Sequence, residues 1–596
     1  MSYLRSIFII TSMSSLIGGK LTTVVNTTNG PVQGEIKSTV MTSIRYSSFR
    51  GIRYAEPPLG YQRFKPPVPI HPWVEVFNAT VAMPDCIQTG TVNDIVRGSE
   101  DCLFVNVFTP VTNFEKLPKQ LKSVMVYFAG GVWRKGTAAI WMYGPDFLIE
   151  KDVIIITLNH RLGVLGFLNM NHPNATGNAG LKDQRLVLQW VKKNIKKFGG
   201  NPNNVTLFGG SSGGMSTFHH VVSEASAGLF HGSISTSASP LSPWALQSPE
   251  TAKHNAEMLA QWLRINSTDQ ETLLQAFYNT SAEDLTVGTY NIQQVVAFGP
   301  TVENAIIAID PILTECIVNR WYTGNFTKVP QMLGFTDAET IAFACPGVAA
   351  YMPTIDTYVR MSEIIGIETA HSINKLKEIY GTGTDDWTLF DPTLIQETID
   401  ATTDLLFIAL IDITQQALAA YNDDQPIYYY HISFDYPRSL HKLRWKCRID
   451  GPAHGDELAY IFHIPSANYS LDLNDTLALT RDRVTTLWTN FAKYGNPTPH
   501  WVSEYSLNIT WPDSRMAGDS LNIGNELSIG PRPINDIVRQ IESHIWPILP
   551  AIGLCKRQSV DRSIQIPKSN SNYIKFNVII ISLLSFSISF NVHSQK

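Results

Sequence analysis

The chain has 596 residues, of which 44% are hydrophobic and 16% are charged. This composition is typical of a globular protein and excludes a disordered, collagen-like or coiled-coil chain. Lys and Arg together number 46 against 51 Asp and Glu, which leaves a formal net charge of −5. A mildly acidic chain without a basic cluster lacks the electrostatic signature of nucleic-acid binding, so we expect no nucleic-acid partner.

The N-terminus differs in character from the body of the chain. Arg5 precedes a short apolar run at 7–10, and small residues follow from Ser14 to Gly19. This order resembles a secretory signal peptide, which we predict over residues 1–19. Asn-x-Ser/Thr sequons, the acceptors of N-linked glycans in secreted proteins, support the same route. Ten are present: Asn26, Asn78, Asn174, Asn204, Asn266, Asn279, Asn325, Asn468, Asn474 and Asn508.

The C-terminus carries an uncharged hydrophobic tail over 576–592, which follows a polar linker at 556–575. Small residues, a polar spacer and an apolar tail resemble a glycolipid-anchor signal. The tail also reaches the lower limit for a single membrane span. Both alternatives place the bulk of the chain outside the cell, either secreted or tethered to the extracellular face of the plasma membrane.

Residues 20–555 contain no repeat and no low-complexity linker, which predicts one large domain. In chain order, buried strands are predicted at 124–128, 153–158, 205–208 and 427–434. A helix is predicted at 181–198, where apolar residues share one face. Its lysines are expected to face solvent at positions Lys192, Lys193, Lys196 and Lys197. Strands that alternate with helices indicate an α/β fold.

A glycine-rich turn follows the strand at 205–208 and reads Gly209-Gly210-Ser211-Ser212-Gly213-Gly214. A serine at G-x-S-x-G spacing between a strand and a helix is typical of a nucleophile elbow, which lifts one hydroxyl to the top of the sheet. Two registers fit, centred on Ser211 or on Ser212. We choose Ser211 because the nucleophile should come only a few residues after the strand ends. Ser212 would then supply a backbone N–H to an oxyanion hole.

A serine hydroxyl needs an imidazole to take its proton and a carboxylate to orient that imidazole. In this architecture the acid follows the serine in the chain and the histidine comes last. Glu339, shortly after an apolar stretch at 331–335, and His454, in the loop 451–457, fit this order. By position alone, Asp337 and Glu457 compete with Glu339 for the role of the acid.

Several long motifs resemble the type-B carboxylesterases of the carboxylesterase/cholinesterase family, from about Gly30 through Trp511. They are Phe49-Arg-Gly-Ile-Arg-Tyr-Ala-Glu-Pro-Pro-Leu-Gly-Tyr-Gln-Arg-Phe64, Ser99-Glu-Asp-Cys-Leu103, Asn159-His-Arg-Leu-Gly-Val-Leu-Gly-Phe167 and Gly177-Asn-Ala-Gly-Leu-Lys-Asp-Gln-Arg185. The resemblance implies an α/β-hydrolase fold, with a large, mostly parallel central sheet flanked by helices and long insertions that form an active-site gorge. It also implies that the segment from Ser235 to Trp244 lines this gorge.

The same resemblance implies a role for each site residue. Ser211 would be the nucleophile, His454 the general base and acid, and Glu339 the orienting carboxylate. The oxyanion hole would be formed by backbone N–H groups of Gly131, Val132 and Ser212. The expected substrate is a small-molecule ester, with no cofactor and no metal.

Structural pairings are implied as well. The resemblance implies a disulfide between Cys86 and Cys102, and ion pairs that join Arg63 with Glu100 and Arg161 with Asp183. The remaining cysteines allow three pairings, among which the sequence cannot choose: Cys316, Cys345, Cys447 and Cys555.

The chain departs from the family pattern near the site. Gly210 stands where the family usually has Glu and juvenile hormone esterases typically have Gln, and the oxyanion loop at 129–133 contains Val132. A β-branched residue resists the tight loop geometry that glycine accepts. The region Thr91–Asn93 lacks the aromatic residue with which cholinesterases bind choline, so acetylcholine is not the expected substrate. We therefore predict a carboxylic ester hydrolase. The alternative is a weakly active or inactive surface recognition protein on the same fold.

Overall fold

The computed structural model describes residues 19–89, 96–242, 244–292, 296–344, 395–444, 446–502 and 507–545. Several predictions concern residues outside these ranges. They are the signal peptide except for Gly19, the region Thr91–Asn93, the cysteines Cys345 and Cys555, the polar linker at 556–575 and the tail at 576–592.

The architecture of the described residues is a twisted sheet of eleven strands with helices on both faces. We number its strands β1 (Glu35–Ser38), β2 (Arg45–Arg53), β3 (Phe104–Thr109), β4 (Lys122–Phe128), β5 (Ile154–Leu158), β6 (Gly200–Gly210), β7 (Gly232–Thr236), β8 (Gln331–Thr336), β9 (Ile427–Ile432), β10 (Ser520–Ile523) and β11 (Leu527–Gly530). Three smaller sheets are formed by Val25–Asn26, Pro31–Gln33 and Phe77–Asn78, by Gln88–Thr89 and Val96–Arg97, and by Asn169–His172 and Ala175–Thr176.

The strand order across the large sheet is β11-β10-β9-β8-β7-β6-β4-β5-β3-β2-β1. All neighbours from β10 to β5 pair in parallel. The remaining pairs, at the two edges, are antiparallel. This arrangement confirms the predicted large, mostly parallel sheet of an α/β-hydrolase.

The predicted strands are present, with different ends. Strand β6 begins five residues before the predicted strand and continues through Gly209 and Gly210. Both glycines belong to the ladder, because Gly209 pairs with Phe128 and Gly210 pairs with Thr236. The turn therefore begins only at the serine that follows.

The core lies on both faces of the sheet because successive side chains along a strand point to opposite sides. In β4, Val124, Val126 and Phe128 enter one hydrophobic cluster, while Met125 and Tyr127 enter another. Because parallel strands are covered on both faces, they are apolar at nearly every position, as the sequence indicated.

The helices fill the connections and cover the two faces of the sheet. The α-helices are Asp146–Ile149, Gly163–Phe167, Ala179–Asn194, Ser212–Val222, Pro249–Trp262, Gln270–Asn279, Ala282–Asn291, Ile317–Tyr322, Ile341–Ala344, Ile395–Thr403, Ala409–Tyr421, Leu440–Arg444, Leu458–Ile461, Thr476–Tyr494 and Asp536–Ile545. Short 3₁₀ turns occur at Gly60–Gln62, Ile195–Phe198, Glu224–Ser226 and Pro465–Ala467. The predicted helix at 181–198 corresponds to Ala179–Asn194 and the 3₁₀ turn that follows it.

One helical stretch, Gln396–Tyr421, is long and apolar enough to cross a membrane. It is mostly buried inside the protein, and a core helix meets the same criteria of length and composition. A π-helical segment, Asp404–Ile408, interrupts it and joins its two α-helical parts. Such segments are frequent at functional sites.

The expected disulfide between Cys86 and Cys102 is confirmed, with the two Cα atoms 4.8 Å apart. Cys316 and Cys447 are disulfide-bonded as well. Both expected ion pairs are also confirmed. Arg63 and Arg161 each hold their acidic partner, Glu100 or Asp183, through two side-chain hydrogen bonds.

The ten sequons differ in accessibility. Asn174 and Asn204 are half-buried. The Asn204 Nδ2 donates to Ser123 Oγ at 2.9 Å and to the Lys493 carbonyl at 3.3 Å. The other eight are exposed: Asn26, Asn78, Asn266, Asn279, Asn325, Asn468, Asn474 and Asn508.

We predict that Asn204 carries no glycan in protein secreted from insect or mammalian cells. The glycan would be attached to Nδ2, where both N–H groups are already engaged in hydrogen bonds. Glycopeptide mass spectrometry is the measurement, and the exposed Asn266 is the control expected to be modified. High occupancy at Asn204 would contradict the prediction.

Candidate active site

A strained turn follows β6 at the carboxyl edge of the sheet. Ser211 adopts φ 57° and ψ −131°, and the helix Ser212–Val222 begins at the next residue. A positive φ is uncommon for a residue other than glycine and is often found at functional sites. The Ser211 N–H donates to the Thr236 carbonyl at 3.0 Å, which ties the turn to β7.

The glycines on either side of Ser211 are required for space. A Cβ on Gly213 would collide with the Phe128 carbonyl oxygen, and one on Gly209 would lie 2.5 Å from the Gly213 carbonyl carbon. The G-x-S-x-G turn is therefore centred on Ser211, while Ser212 is the first residue of the helix. This is the register that the sequence favoured.

His454 and Glu339 are brought together from two loops. His454 Nδ1 lies 2.6 Å from Glu339 Oε2, and the His454 N–H donates to the Glu339 carbonyl at 3.1 Å. The second carboxylate oxygen, Oε1, accepts from the Thr336 N–H at 3.0 Å, and Glu339 is fully buried. A carboxylate on Nδ1 holds the neutral imidazole with its lone pair on Nε2, the atom that a general base uses.

The environment of His454 favours its charged form. Burial alone lowers the pKa of an imidazole, but the charge and hydrogen bond of Glu339 outweigh it, and Glu457 and Asp456 add to their effect. The pKa of His454 is therefore raised above the ordinary value of 6.5. A histidine with a raised pKa binds a proton more strongly near neutral pH, which suits proton transfer from a hydroxyl.

Asp337 and Glu457, which by position compete with Glu339 for the role of the acid, lie in different surroundings. Asp337 is exposed and lies 2.7 Å from His431 Nδ1. Glu457 is buried, and its Oε1 lies 2.9 Å from where a Cβ on Gly210 would be. Because its charge also acts on His454, Glu457 links the strand end before Ser211 to the histidine.

The loop after β4 has a left-handed backbone. Gly131, Val132 and Trp133 have φ of 133°, 51° and 53°. The valine therefore adopts the tight conformation in spite of its branched side chain. A Cβ on Gly130 would lie 3.1 Å from the Ser211 Cβ, so this loop packs directly on the serine turn.

Three backbone N–H groups lie at this junction. Within the described residues, the N–H groups of Gly131, Val132 and Ser212 donate to no acceptor. The loop and the helix are also connected, since the Trp133 N–H donates to Ser212 Oγ at 3.4 Å. Unpaired N–H groups beside a serine are what an oxyanion hole requires.

An aromatic residue that the sequence analysis missed packs on the histidine. The Phe407 ring centroid lies 5.2 Å from that of His454 and 6.0 Å from that of Trp244, a residue expected in the gorge. Phe407 belongs to the π-helical segment. No local pattern in the sequence marks that segment.

The part of the chain described here contains no group of three or more His, Cys, Asp and Glu side chains that could hold a metal ion. The chemistry available at this edge of the sheet is that of a hydroxyl, an imidazole, carboxylates and backbone N–H groups.

The sequence matches known proteins over most of its length. Residues 21–540 match the sequence model of the carboxylesterase family. The chain belongs to that family. It is 32% identical to a juvenile hormone esterase of Tribolium castaneum over 84% of this chain and 88% of that protein. It is 30% identical to acetylcholinesterase 1 of Caenorhabditis elegans over 78% of each chain.

Solved structures of esterases superpose on this fold. The juvenile hormone esterase from Manduca sexta with OTFP covalently attached superposes with a TM-score of 0.76 at 27% identity, covering 88% of this chain and 99% of that one. A PNB esterase superposes with a TM-score of 0.70 at 28% identity, covering 87% and 99%. The chain's membership of this family and its similarity to known esterases support an ester hydrolase of the serine-esterase type.

We predict that Val132→Gly stabilises the folded protein. A left-handed backbone costs a non-glycine residue about 1–2 kcal/mol, and glycine removes this cost while adding about 0.5–1 kcal/mol of conformational entropy to the unfolded chain. The expected net gain is about 0.5 kcal/mol, measured as a higher midpoint of denaturant unfolding.

Gly131→Ala is the matched control and should lower the same midpoint, because its Cβ would collide with the Lys135 carbonyl. A lower midpoint for Val132→Gly would mean that the valine side chain contributes more through packing than its backbone loses through strain.

Proposed function

We propose that the protein is a carboxylic ester hydrolase that uses Ser211, His454 and Glu339 as a catalytic triad through an acyl-enzyme. The observation that carries this proposal is the 2.6 Å contact between His454 and Glu339 at the sheet edge that also presents the strained Ser211 turn. The ligand covalently attached to the Manduca sexta esterase supports covalent catalysis on this fold.

The first half of the reaction forms the acyl-enzyme. Ser211 Oγ attacks the carbonyl carbon of the ester while His454 Nε2 takes the hydroxyl proton. The tetrahedral intermediate collapses, the bond to the alcohol oxygen breaks, and His454 returns the proton to the departing alcohol. Glu339 keeps Nδ1–H in place and stabilises the imidazolium that forms.

The second half releases the acid. Water attacks the acyl carbon, His454 takes its proton, and the same proton is returned to Ser211 Oγ as the acyl group leaves. In both halves the negative charge on the carbonyl oxygen would be held by the N–H groups of Gly131, Val132 and Ser212. Each such donor is worth about 3–4 kcal/mol in the transition state. These steps use only side chains, backbone and water.

The substrate we propose is a small-molecule carboxylic ester. Gly210 occupies the position where juvenile hormone esterases typically carry Gln, which favours a different ester from that of the juvenile hormone esterases that this chain resembles. The apolar contact of Phe407 with His454 and Trp244 favours an uncharged group at this side of the serine.

We propose that the protein acts outside the cell. The Cys86–Cys102 disulfide and eight exposed sequons support an oxidising, secretory route. The signal peptide at 1–19 and a membrane tether through the tail at 576–592 are parts of the same proposal. They rest on the sequence.

A surface recognition protein with little turnover is the second candidate. Two observations favour it, the strained Val132 in the oxyanion loop and the absence of an acidic side chain at Gly210. The paired Glu339 and His454 weigh against it, because a carboxylate on the imidazole is the arrangement that a serine hydrolase requires.

We predict that Ser211→Ala abolishes both labelling by a fluorophosphonate probe and hydrolysis of a short-chain nitrophenyl ester by secreted residues 20–555. Ser212→Ala is the matched control. It keeps the backbone N–H and loses only a long hydrogen bond from Trp133, so labelling should persist. Wild-type protein that neither reacts with the probe nor hydrolyses the ester would favour the recognition protein.

We predict that Glu339→Gln lowers kcat/KM by about 10²- to 10⁴-fold, since an amide does not hold the imidazolium. His454 acts as a base only when neutral, so activity falls as the pH drops through its raised pKa. Because Glu339 raises that pKa, the variant's acid limb should move to lower pH. Asp337→Asn removes the same charge on the surface and should change neither quantity. The reverse ranking would make Asp337 the acid.

A further inference from the structure

The turn that carries His454 is closed by a side chain of its own loop. Asp456 Oδ2 accepts from the Ala453 N–H at 2.8 Å, and the Asp456 N–H donates to the Ala453 carbonyl at 3.0 Å. These two hydrogen bonds join the residue before His454 to the residue two positions after it. They therefore fix the turn from which the imidazole projects.

A second histidine anchors this turn. His441 lies in the helix Leu440–Arg444, and its backbone N–H donates to Asp456 Oδ1 at 3.0 Å. Its ring Nδ1 lies 2.7 Å from Asp456 Oδ2, and Ser439 Oγ lies 2.9 Å from the same nitrogen. His441 and Asp456 are both buried. The His454 turn is thus tied to another element of the fold through one buried pair.

The contacts of His441 place an acceptor at each of its ring nitrogens. At the other nitrogen, Nε2 lies 3.0 Å from the Ile449 carbonyl, which can only accept. Asp456 already accepts two backbone N–H groups, as an ionised carboxylate does. A neutral imidazole has a single N–H and could satisfy only one of these partners. The geometry therefore favours a buried imidazolium–carboxylate pair.

The surroundings of His441 agree with a charged ring. Burial alone would lower its pKa, but the hydrogen bond and charge of Asp456, together with the Ile449 carbonyl, raise the pKa above 6.5. The anchor is therefore complete at lower pH and is lost as the pH rises through this raised pKa. The other titratable groups around the pair are Lys442 with its partners Asp435 and Asp450, the tyrosines Tyr460 and Tyr469, which burial keeps neutral, and His454 and Glu457.

We propose that His441 and Asp456 are positioning residues that hold the His454 turn in place for proton transfer. The inference rests on the proposed role of His454. Neither residue forms or breaks a bond in the reaction. They act through the backbone, because the turn they close also donates the His454 N–H to the Glu339 carbonyl at 3.1 Å. Loss of the anchor would displace the base and leave the binding of the ester unchanged.

Two amides at position 441 separate the two ring nitrogens. The Nδ2 of asparagine takes the place of Nδ1 and can still donate to Asp456, whereas the Nε2 of glutamine takes the place of the ring Nε2 and reaches only the Ile449 carbonyl. His441→Gln should lower kcat about tenfold with little change in KM. His441→Asn should keep kcat within about threefold of the wild type. Equal losses in the two variants would contradict a role for the contact with Asp456.

The pH profile separates positioning from general support of the fold. In the wild type, kcat should fall on the alkaline side as His441 loses its proton. In His441→Asn this fall should be absent, because an amide does not titrate. His431→Gln is the matched control. It removes a histidine from another His–Asp pair, the one with Asp337, and should change neither kcat nor the profile. An alkaline fall that persists unchanged in His441→Asn would overturn the inference.

Hydrogen exchange in the inactive Ser211→Ala protein tests the anchor without turnover. After correction for the intrinsic exchange rate, the amides of residues 451–457 should lose about tenfold in protection as the pH rises through the pKa of His441. This measurement keeps His441 and remains decisive if the variants at that position are not secreted. Unchanged protection would overturn the inference even if the protein is an esterase. Full activity of Ser211→Ala would overturn the triad, and the exchange would still decide whether His441 holds the turn.

Discussion

The hydrogen bond between His454 and Glu339 joins two loops that stand 115 residues apart in the chain. Glu339 is buried, yet both of its carboxylate oxygens accept a hydrogen bond, one from the imidazole and one from the Thr336 N–H. Burying a carboxylate is costly unless its oxygens are satisfied in this way. The pair therefore persists only if β8 and the loop 451–457 are held in register by the rest of the fold. Every chemical role proposed for the site depends on the imidazole orientation that results.

The large sheet supplies that support. Strands β4, β6 and β8 run in parallel, so the loop after β4, the serine turn and Glu339 all emerge at the same edge. Packing is close there. Gly213 and Phe128 approach so closely that no side chain fits between helix and sheet, and Ser211 and Val132 beside them have positive φ angles. Such strain is tolerated where surrounding contacts determine the conformation.

The three acids considered as partners of His454 lie in different surroundings. Glu339 is buried and satisfied, Asp337 is exposed and paired with His431, and Glu457 is buried with one oxygen unpaired. Charge and residue type are the same or nearly so in all three. The fold pairs the first with His454 and the second with His431 at the surface, and it buries the third over Gly210.

The sequence by itself determined the features that depend on neighbouring residues. These are the buried strands, the G-x-S-x-G turn and its register on Ser211, and, through family motifs, Glu339 and the Cys86–Cys102 disulfide. Only the tertiary structure decided how Glu457 fills the space over Gly210 and that a π-helical segment sets Phe407 against the imidazole. Strand periodicity and turn chemistry are short-range and leave a local pattern. Contacts between residues far apart in the chain depend on how the elements pack, which no local pattern records.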